Sequence, residues 1–288
     1  MSRRGWFLFI LVGFLWGIPY LFIKVAVDPG NGFSPATVVC LRTAIGAAIL
    51  IPIAIKQRQF IAAVRGWRYV AAYALLEMIG PWILIGTAEQ KISSGLAGLL
   101  VASVPIWATI FASLRGDKTV WHHKRLLGIV VGFIGLILVV GIESLSGNSD
   151  PLSIVMVIVA SMGYAYAVIM ITTNLPLVDG IAINGLGMAI TTVFWAPVAI
   201  AQWPSSISLK ASLSLIALGV FSTAIAFIVF FKIIAEIGPA RSSLVTYLNT
   251  AIAVVLGVII LNEPLTVGII LGLPLVLFGS YLASRKTA

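Results

Sequence analysis

The chain has 288 residues, 60% of them hydrophobic and 9% charged, and its mean hydropathy is +1.13. A single soluble core cannot hide that much apolar surface, so lipid is the solvent for most of the chain, which excludes most soluble enzymes. The net charge of +9 does not mark a nucleic-acid binder, because the basic residues lie scattered between apolar runs, as membrane orientation requires.

A helix needs about 20 mostly apolar residues to cross the hydrocarbon. Ten stretches qualify in chain order: 5–27, 35–55, 68–88, 92–114, 122–142, 152–172, 180–202, 210–231, 238–261 and 266–284. The first follows Arg3 and Arg4 and lacks a small-x-small cleavage site, so it reads as an uncleaved span and not as a signal peptide. Within it, "WGIPY" at 16–20 sets Gly17 and Pro19 near mid-membrane. Pro19 has no N–H for the carbonyl of Leu15, so a bend, and with it a hinge, is expected there. The breaks between spans are turn-like: "DPGNGFSP" at 28–35, "ESLSGNSDP" at 143–151, "PSSIS" at 204–208 and "NEP" at 262–264. Helices are the spanning solution, since the runs are too long and too uniformly apolar for barrel strands. Cys40 is the lone cysteine, so no intramolecular disulfide forms, and it reads as a small packing residue.

On the side of the N-terminus fall 14 Lys and Arg residues, against Lys24, Lys91 and Lys210 on the other, with Arg42 inside a span. The asymmetry puts both termini in the cytoplasm of a bacterial-type inner membrane. Segment 56–68, with Phe60 and Trp67 among its basic residues, reads as an inner-surface belt in contact with lipid.

The linker 143–151 divides the chain into residues 1–142 and 152–288, five spans each. "LGIVVGFIGLIL" at 127–138 resembles "LGLPLVLFGSYL" at 271–282, "WGIPY" at 16–20 resembles "MGYAY" at 162–166, and Asp117 after span 4 matches Glu263 after span 9. Gly17 thus pairs with Gly163 and Tyr20 with Tyr166. Two odd-numbered halves in tandem face opposite ways. The expected fold is an all-α integral membrane protein of ten transmembrane helices, arranged as two inverted five-helix repeats around a central cavity, the architecture that serves alternating access.

These features carry a resemblance. "LWG" followed by Lys24, Arg42, Pro105 with Trp107, "GD" at 116–117, "NEPLT" at 262–266 and the spaced glycines of spans 5 and 10 resemble the EamA-type exporters of the drug/metabolite transporter superfamily, with the aromatic amino acid exporters the nearest match. The resemblance covers essentially the whole chain. It implies a ten-helix basket whose cavity is lined by helices 1, 3, 4, 6, 8 and 9, and export of amino acids or related metabolites.

Charges inside spans are functional by default. Glu77, near the middle of span 3, reads with equal weight as a proton carrier or acceptor for a substrate ammonium, and as a carboxyl bonded between helices. Arg42 and Lys24 are possible charge sites, though a structural tie or a snorkelling side chain is the favoured reading of each. Glu89 and Lys91 are expected to be solvated at the turn between spans 3 and 4. Trp16, Tyr20, Trp82, Trp107, Tyr164, Phe227 and Tyr247 lie on the helices that the resemblance assigns to the cavity, and suit a partly apolar amino acid. Trp6, Trp67, Trp121 and Trp203 read instead as interface anchors. Ser103 and Asn249, with Ser94, Ser243 and Thr250, can supply hydrogen bonds or interhelical glue. The pairs Gly13/Gly17, Gly128/Gly132 and Gly268/Gly272 read as close helix packing.

No P-loop, HExxH or GxSxG occurs, so no enzyme, metal site or cofactor is expected and transport must run on a gradient. His122 and His123 are adjacent and do not share a helix face. The leading expectation is a secondary exporter of aromatic or other apolar amino acids. The alternatives are an exporter of cationic drugs, polyamines or other small metabolites, and a non-transporting membrane sensor or assembly protein.

Overall fold

A computed structural model of the protein describes residues 2–30, 32–116, 118, 122–145, 150–237, 242 and 244–284. Asp117, Trp121, Ser243 and residues 146–149 of the linker lie outside the described residues. Regular structure among them is helical throughout. α1 (Arg3–Gly17) is continued after Ile18 by α2 (Pro19–Ala26), and α3 (Pro35–Lys56) returns. The short α4 (Phe60–Arg65) precedes α5 (Trp67–Ala74), a π-helical turn (Leu75–Ile79) and α6 (Gly80–Ala88). α7 (Ser94–Val101) and α8 (Val104–Leu114) follow, then α9 (His123–Leu145), α10 (Pro151–Asn174) and α11 (Gly180–Ala201). α12 (Leu209–Gly219), a second π-helical turn (Val220–Ile225) and α13 (Ala226–Ile237) form one long stretch, and α14 (Val245–Leu261) and α15 (Val267–Ser284) close the chain.

By length and composition, seven helical stretches among the described residues can cross a bilayer, from Arg3–Ala26 to Leu209–Ile237. α9, α14 and α15, of 23, 17 and 18 residues, occupy the other three positions expected from the sequence.

Four expected spans are interrupted, and proline chemistry explains three of the breaks; the second π turn holds no proline. Pro19 leaves the Leu15 carbonyl without its donor; Ile18 bridges the gap, its N–H bonding Phe14 and its carbonyl accepting from Phe22, both at 3.1 Å. Pro105 does the same to Val101, and α7 yields to α8 through Ala102 and Ser103. Pro81 deprives the Glu77 carbonyl, so the chain relaxes into a π turn with the Gly80 N–H bonded to Leu75.

Caps fix several ends. The hydroxyls of Ser34, Ser93 and Ser208 accept from the third amide on, starting α3, α7 and α12. Asp150 starts α10 by accepting from the Ser153 hydroxyl at 2.7 Å and amide at 3.0 Å, contacts that hold its carboxyl below the usual range. Lys91 lies 3.6 Å from the same carboxylate.

α9 lies antiparallel along α15 and α3 along α11, while α10 meets α6 and α8, and α14 meets α1 and α7. The α9–α15 seam is built on glycine. A Cβ on Gly279 would stand 2.5 Å from the Gly132 Cα and 2.7 Å from the Gly128 carbonyl oxygen, and one on Gly135 2.8 Å from the Val276 nitrogen. Bare glycines therefore bring the two backbones together, the contact that drives association where lipid removes the hydrophobic advantage of larger side chains. Gly13 and Gly17 likewise receive Leu248 and Ile252 of α14.

Candidate functional site

The bundle interior gathers charge around Arg42. This arginine is buried on α3, its guanidinium carbon 3.6 Å from the ring centre of Trp82 on α6. Nε and Nη2 donate to Thr223 Oγ1 at 3.2 and 3.1 Å. Thr223 sits in the second π turn and donates to the Leu218 carbonyl five residues back, at 2.9 Å. Each π turn thus offers a polar side chain to the interior, Glu77 from the first and Thr223 from the second. The geometry of a π turn shifts one residue out of α-helical register and so re-aims it.

Tyr164 joins the two main apolar clusters, one containing Tyr20 and the other Trp82, Tyr73 and Phe227. Trp82 stands beside Tyr164, and Tyr164 lies within electrostatic reach of Glu77, Tyr20 and Arg42. Glu77 is half-buried, and its Oε2, fully enclosed, has no hydrogen-bond partner among the described residues. Beside it Tyr73 donates to Asn184 Oδ1 at 3.1 Å. Burial leaves such groups under-solvated, so opposite charges and ring faces near them interact strongly. Gly163 is required here: a Cβ would meet the Leu76 carbonyl at 2.7 Å, so its absence lets α10 sit against the first π turn.

Five residues named from the sequence therefore come together: Tyr20, Arg42, Glu77, Trp82 and Tyr164. Trp16 and Phe227 meet one another edge-on at 5.7 Å, at the wall of the same apolar cluster as Trp82. The other named residues have other direct partners. The Trp107 indole donates to Ser103 Oγ at 3.1 Å and packs on Phe133 of α9, while Ser103 bonds the Leu100 carbonyl at 2.6 Å, closing the α7–α8 break. Tyr247 packs edge-on against Tyr281 of α15, and Asn249 accepts from Thr250 at 3.3 Å. The sequence pairing of Tyr20 with Tyr166 does not hold in environment, since Tyr20 is buried and Tyr166 exposed against Phe111. The interior tyrosine of α10 is Tyr164.

The other correction concerns Glu89. Its position beside Lys91 in a turn predicts solvation, yet the structure buries it completely. The Lys24 Nζ donates to the carbonyls of Glu89 and Ile92, tying α2 over the turn between α6 and α7. Burial pushes the Glu89 carboxyl well above the usual carboxylate range, with Lys24 opposing. Sequence reasoning also missed Glu263, beyond its place in a motif. Its carboxylate accepts from the Ser94 amide and hydroxyl, both at 2.8 Å, and from the Gly95 amide at 3.2 Å, capping α7 from across the chain. Between Lys24, Asp28, Lys210 and Glu263 a vestibule of about 470 Å³ opens at this end of the bundle.

With the geometry in place, comparison with known proteins decides the family. The EamA-like transporter family model matches residues 3–141 and again 151–285. This chain belongs to the EamA-like transporter family. It is 25% identical over 283 residues to the "Uncharacterized inner membrane transporter YedA" of Escherichia coli K12, covering 94% of this chain and 90% of that one. It is 26% identical to the "Uncharacterized transporter YoaV" of Bacillus subtilis, covering 95% and 94%, and 25% identical to an "Uncharacterized transporter" of Archaeoglobus fulgidus, covering 98% and 99%. A crystal structure of another protein shares the fold, with a TM-score of 0.67, 16% identity and 98% coverage of each chain. The EamA-like chain is thus a membrane transporter, all-helical, that carries a small molecule.

Proposed function

We propose that this EamA-like protein is a secondary exporter of aromatic or other apolar amino acids, working by alternating access across an inner membrane with both termini in the cytoplasm. The observation that carries the reading is the interior grouping of one cation and one carboxylate on aromatic walls: Arg42 over Trp82, Tyr164 alongside, and Glu77 with an unpartnered Oε2. An amino acid has a carboxylate for Arg42, whose Nη1 makes no hydrogen bond with the described residues, an ammonium for Glu77, and a side chain for the rings. The two family matches, 3–141 and 151–285, support two repeats of five helices, and the paired contacts α1–α14 with α10–α8, and α10–α6 with α1–α13, support their inversion. The 14 basic residues on the N-terminal side support the orientation. The vestibule then faces outward.

Reconstituted protein is expected to move labelled phenylalanine and tryptophan across liposomes. Arg42→Lys keeps the charge but loses the planar donors and ring stacking, and should slow flux about tenfold, the equivalent of 1.4 kcal/mol; Glu77→Gln should do at least as much. Absence of flux for every amino acid, with polyamine flux present, would replace this cargo with the cationic one.

A further inference from the structure

Glu89 is anomalous among the carboxylates. It has no exposure, and neither Oε1 nor Oε2 has a hydrogen-bond partner among the described residues. Lys24 stands close by but spends its ammonium on the carbonyls of Glu89 and Ile92, not on the carboxylate. The main-chain amide of Lys24 approaches the carboxylate without reaching hydrogen-bonding geometry. A purely structural ion pair would look different: the ammonium would sit on the carboxylate, as the donors of Ser94 and Gly95 sit on Glu263. An anion buried bare costs far more than a neutral acid in the same place. The groups that face Glu89 are Lys24 and Tyr20 from α2, Arg42 from α3 and Glu263 from the turn after α14. Two of them, Lys24 and Glu263, also line the vestibule. The vestibule and the carboxyl thus share two neighbours, Lys24 and Glu263.

The same groups lead inward. Tyr20 lies within electrostatic reach of both Glu89 and Arg42, Arg42 within reach of Tyr164, and Tyr164 within reach of Glu77. The array starts at Glu89, whose two oxygens have no partner among the described residues, and ends at Glu77, whose Oε2 has none.

We infer that Glu89 is a proton-binding site at the vestibule end of the bundle, filled from vestibule water and communicating through Tyr20, Arg42 and Tyr164 with Glu77. Protonation forms one O–H bond on Glu89 at the expense of a hydronium ion and leaves the carbonyl ties of Lys24 intact, so the proton comes and goes without loosening the tie between α2 and the α6–α7 turn. The link to transport rests on the function proposed above; the site itself does not.

Infrared spectroscopy of the purified full chain, titrated with acid and base in the absence of cargo, tests the site directly. The wild type should show the carbonyl stretch of a protonated carboxyl that disappears as pH rises. Glu89→Gln should lose that band, Glu77→Gln should keep it, and Glu89→Asp should shift it, which serves if the glutamine variant fails to fold. An unchanged band in both Glu89 variants, or no protonated band in the wild type, overturns the proposal. In liposomes, acidifying the vestibule side should change wild-type phenylalanine flux several-fold and leave Glu89→Gln flat. Flux absent with the band as expected overturns the cargo reading and leaves the proton site standing.

Discussion

Replacing Glu263 with alanine removes three hydrogen bonds at once. Two come from the first amides of α7, Ser94 and Gly95, and one from the Ser94 hydroxyl, at 2.8, 3.2 and 2.8 Å. The amides are among the four that a helix cannot satisfy internally, and the carboxylate also meets the positive end of the helix dipole. A bond of this kind contributes about 1 kcal/mol net, so the whole cap is worth about 3 kcal/mol. For a chain of this size that corresponds to a fall in melting temperature of about 6–12 °C. Thermal unfolding in detergent, followed by intrinsic tryptophan fluorescence, measures it. Glu263→Gln keeps one acceptor and should fall about halfway. Ser94→Ala should cost about 1 kcal/mol alone and almost nothing in the Glu263→Ala background, because its partner has gone. Gly257→Ala tests the same contact sterically, since its Cβ would meet the Glu263 carboxylate and come within 2.8 Å of the Ser94 hydroxyl. Additive losses from Glu263→Ala and Ser94→Ala, or a loss below about 0.5 kcal/mol for the former, would refute the cap as a tertiary lock.

The glycine seam makes a sharp contrast. Gly279→Ala pushes a methyl into the Gly132 backbone and should destabilise by about 3 kcal/mol, whereas Gly86→Ala meets only Pro35 Cβ at 3.4 Å and should be neutral or mildly stabilising; equal melting temperatures for the two would refute the close approach of α9 and α15. Pro19→Ala restores a donor for the Leu15 carbonyl and lets α1 run into α2, so thermal stability should rise while phenylalanine flux falls; wild-type flux in that variant rules out a hinge at Gly17 and Pro19.

Much of the site was visible residue by residue. A carboxylate and an arginine in apolar runs stand out because lipid excludes unpaired charge, so Glu77 and Arg42 could be picked without coordinates. Their partners could not. From the sequence Arg42 reads as a structural tie or a snorkelling side chain; its partners, Trp82 and Thr223, lie 40 and 181 positions away in sequence. Trp107 and Tyr247 pack on Phe133 and Tyr281, partners that their own helices do not reveal. Spacing along a helix does not reveal which neighbour each face will meet. Glu89 failed for a related reason: turn residues are usually wet, and only the folding of α2 across the α6–α7 turn removes the water.

What the amino-acid order determined by itself was the medium and the helical grammar. Sixty per cent hydrophobic residues in long runs demand lipid, lipid demands internally satisfied backbone, and prolines at 19, 81 and 105 mark three of the places where the helices are interrupted. What the tertiary structure alone decided was the pairing of buried polar groups. Such groups are stabilised by whichever partner reaches them in three dimensions, and helices carry no sequence record of the partner across the bundle. Glu263 on α7 and the unpartnered oxygens of Glu77 and Glu89 are therefore properties of the packed bundle.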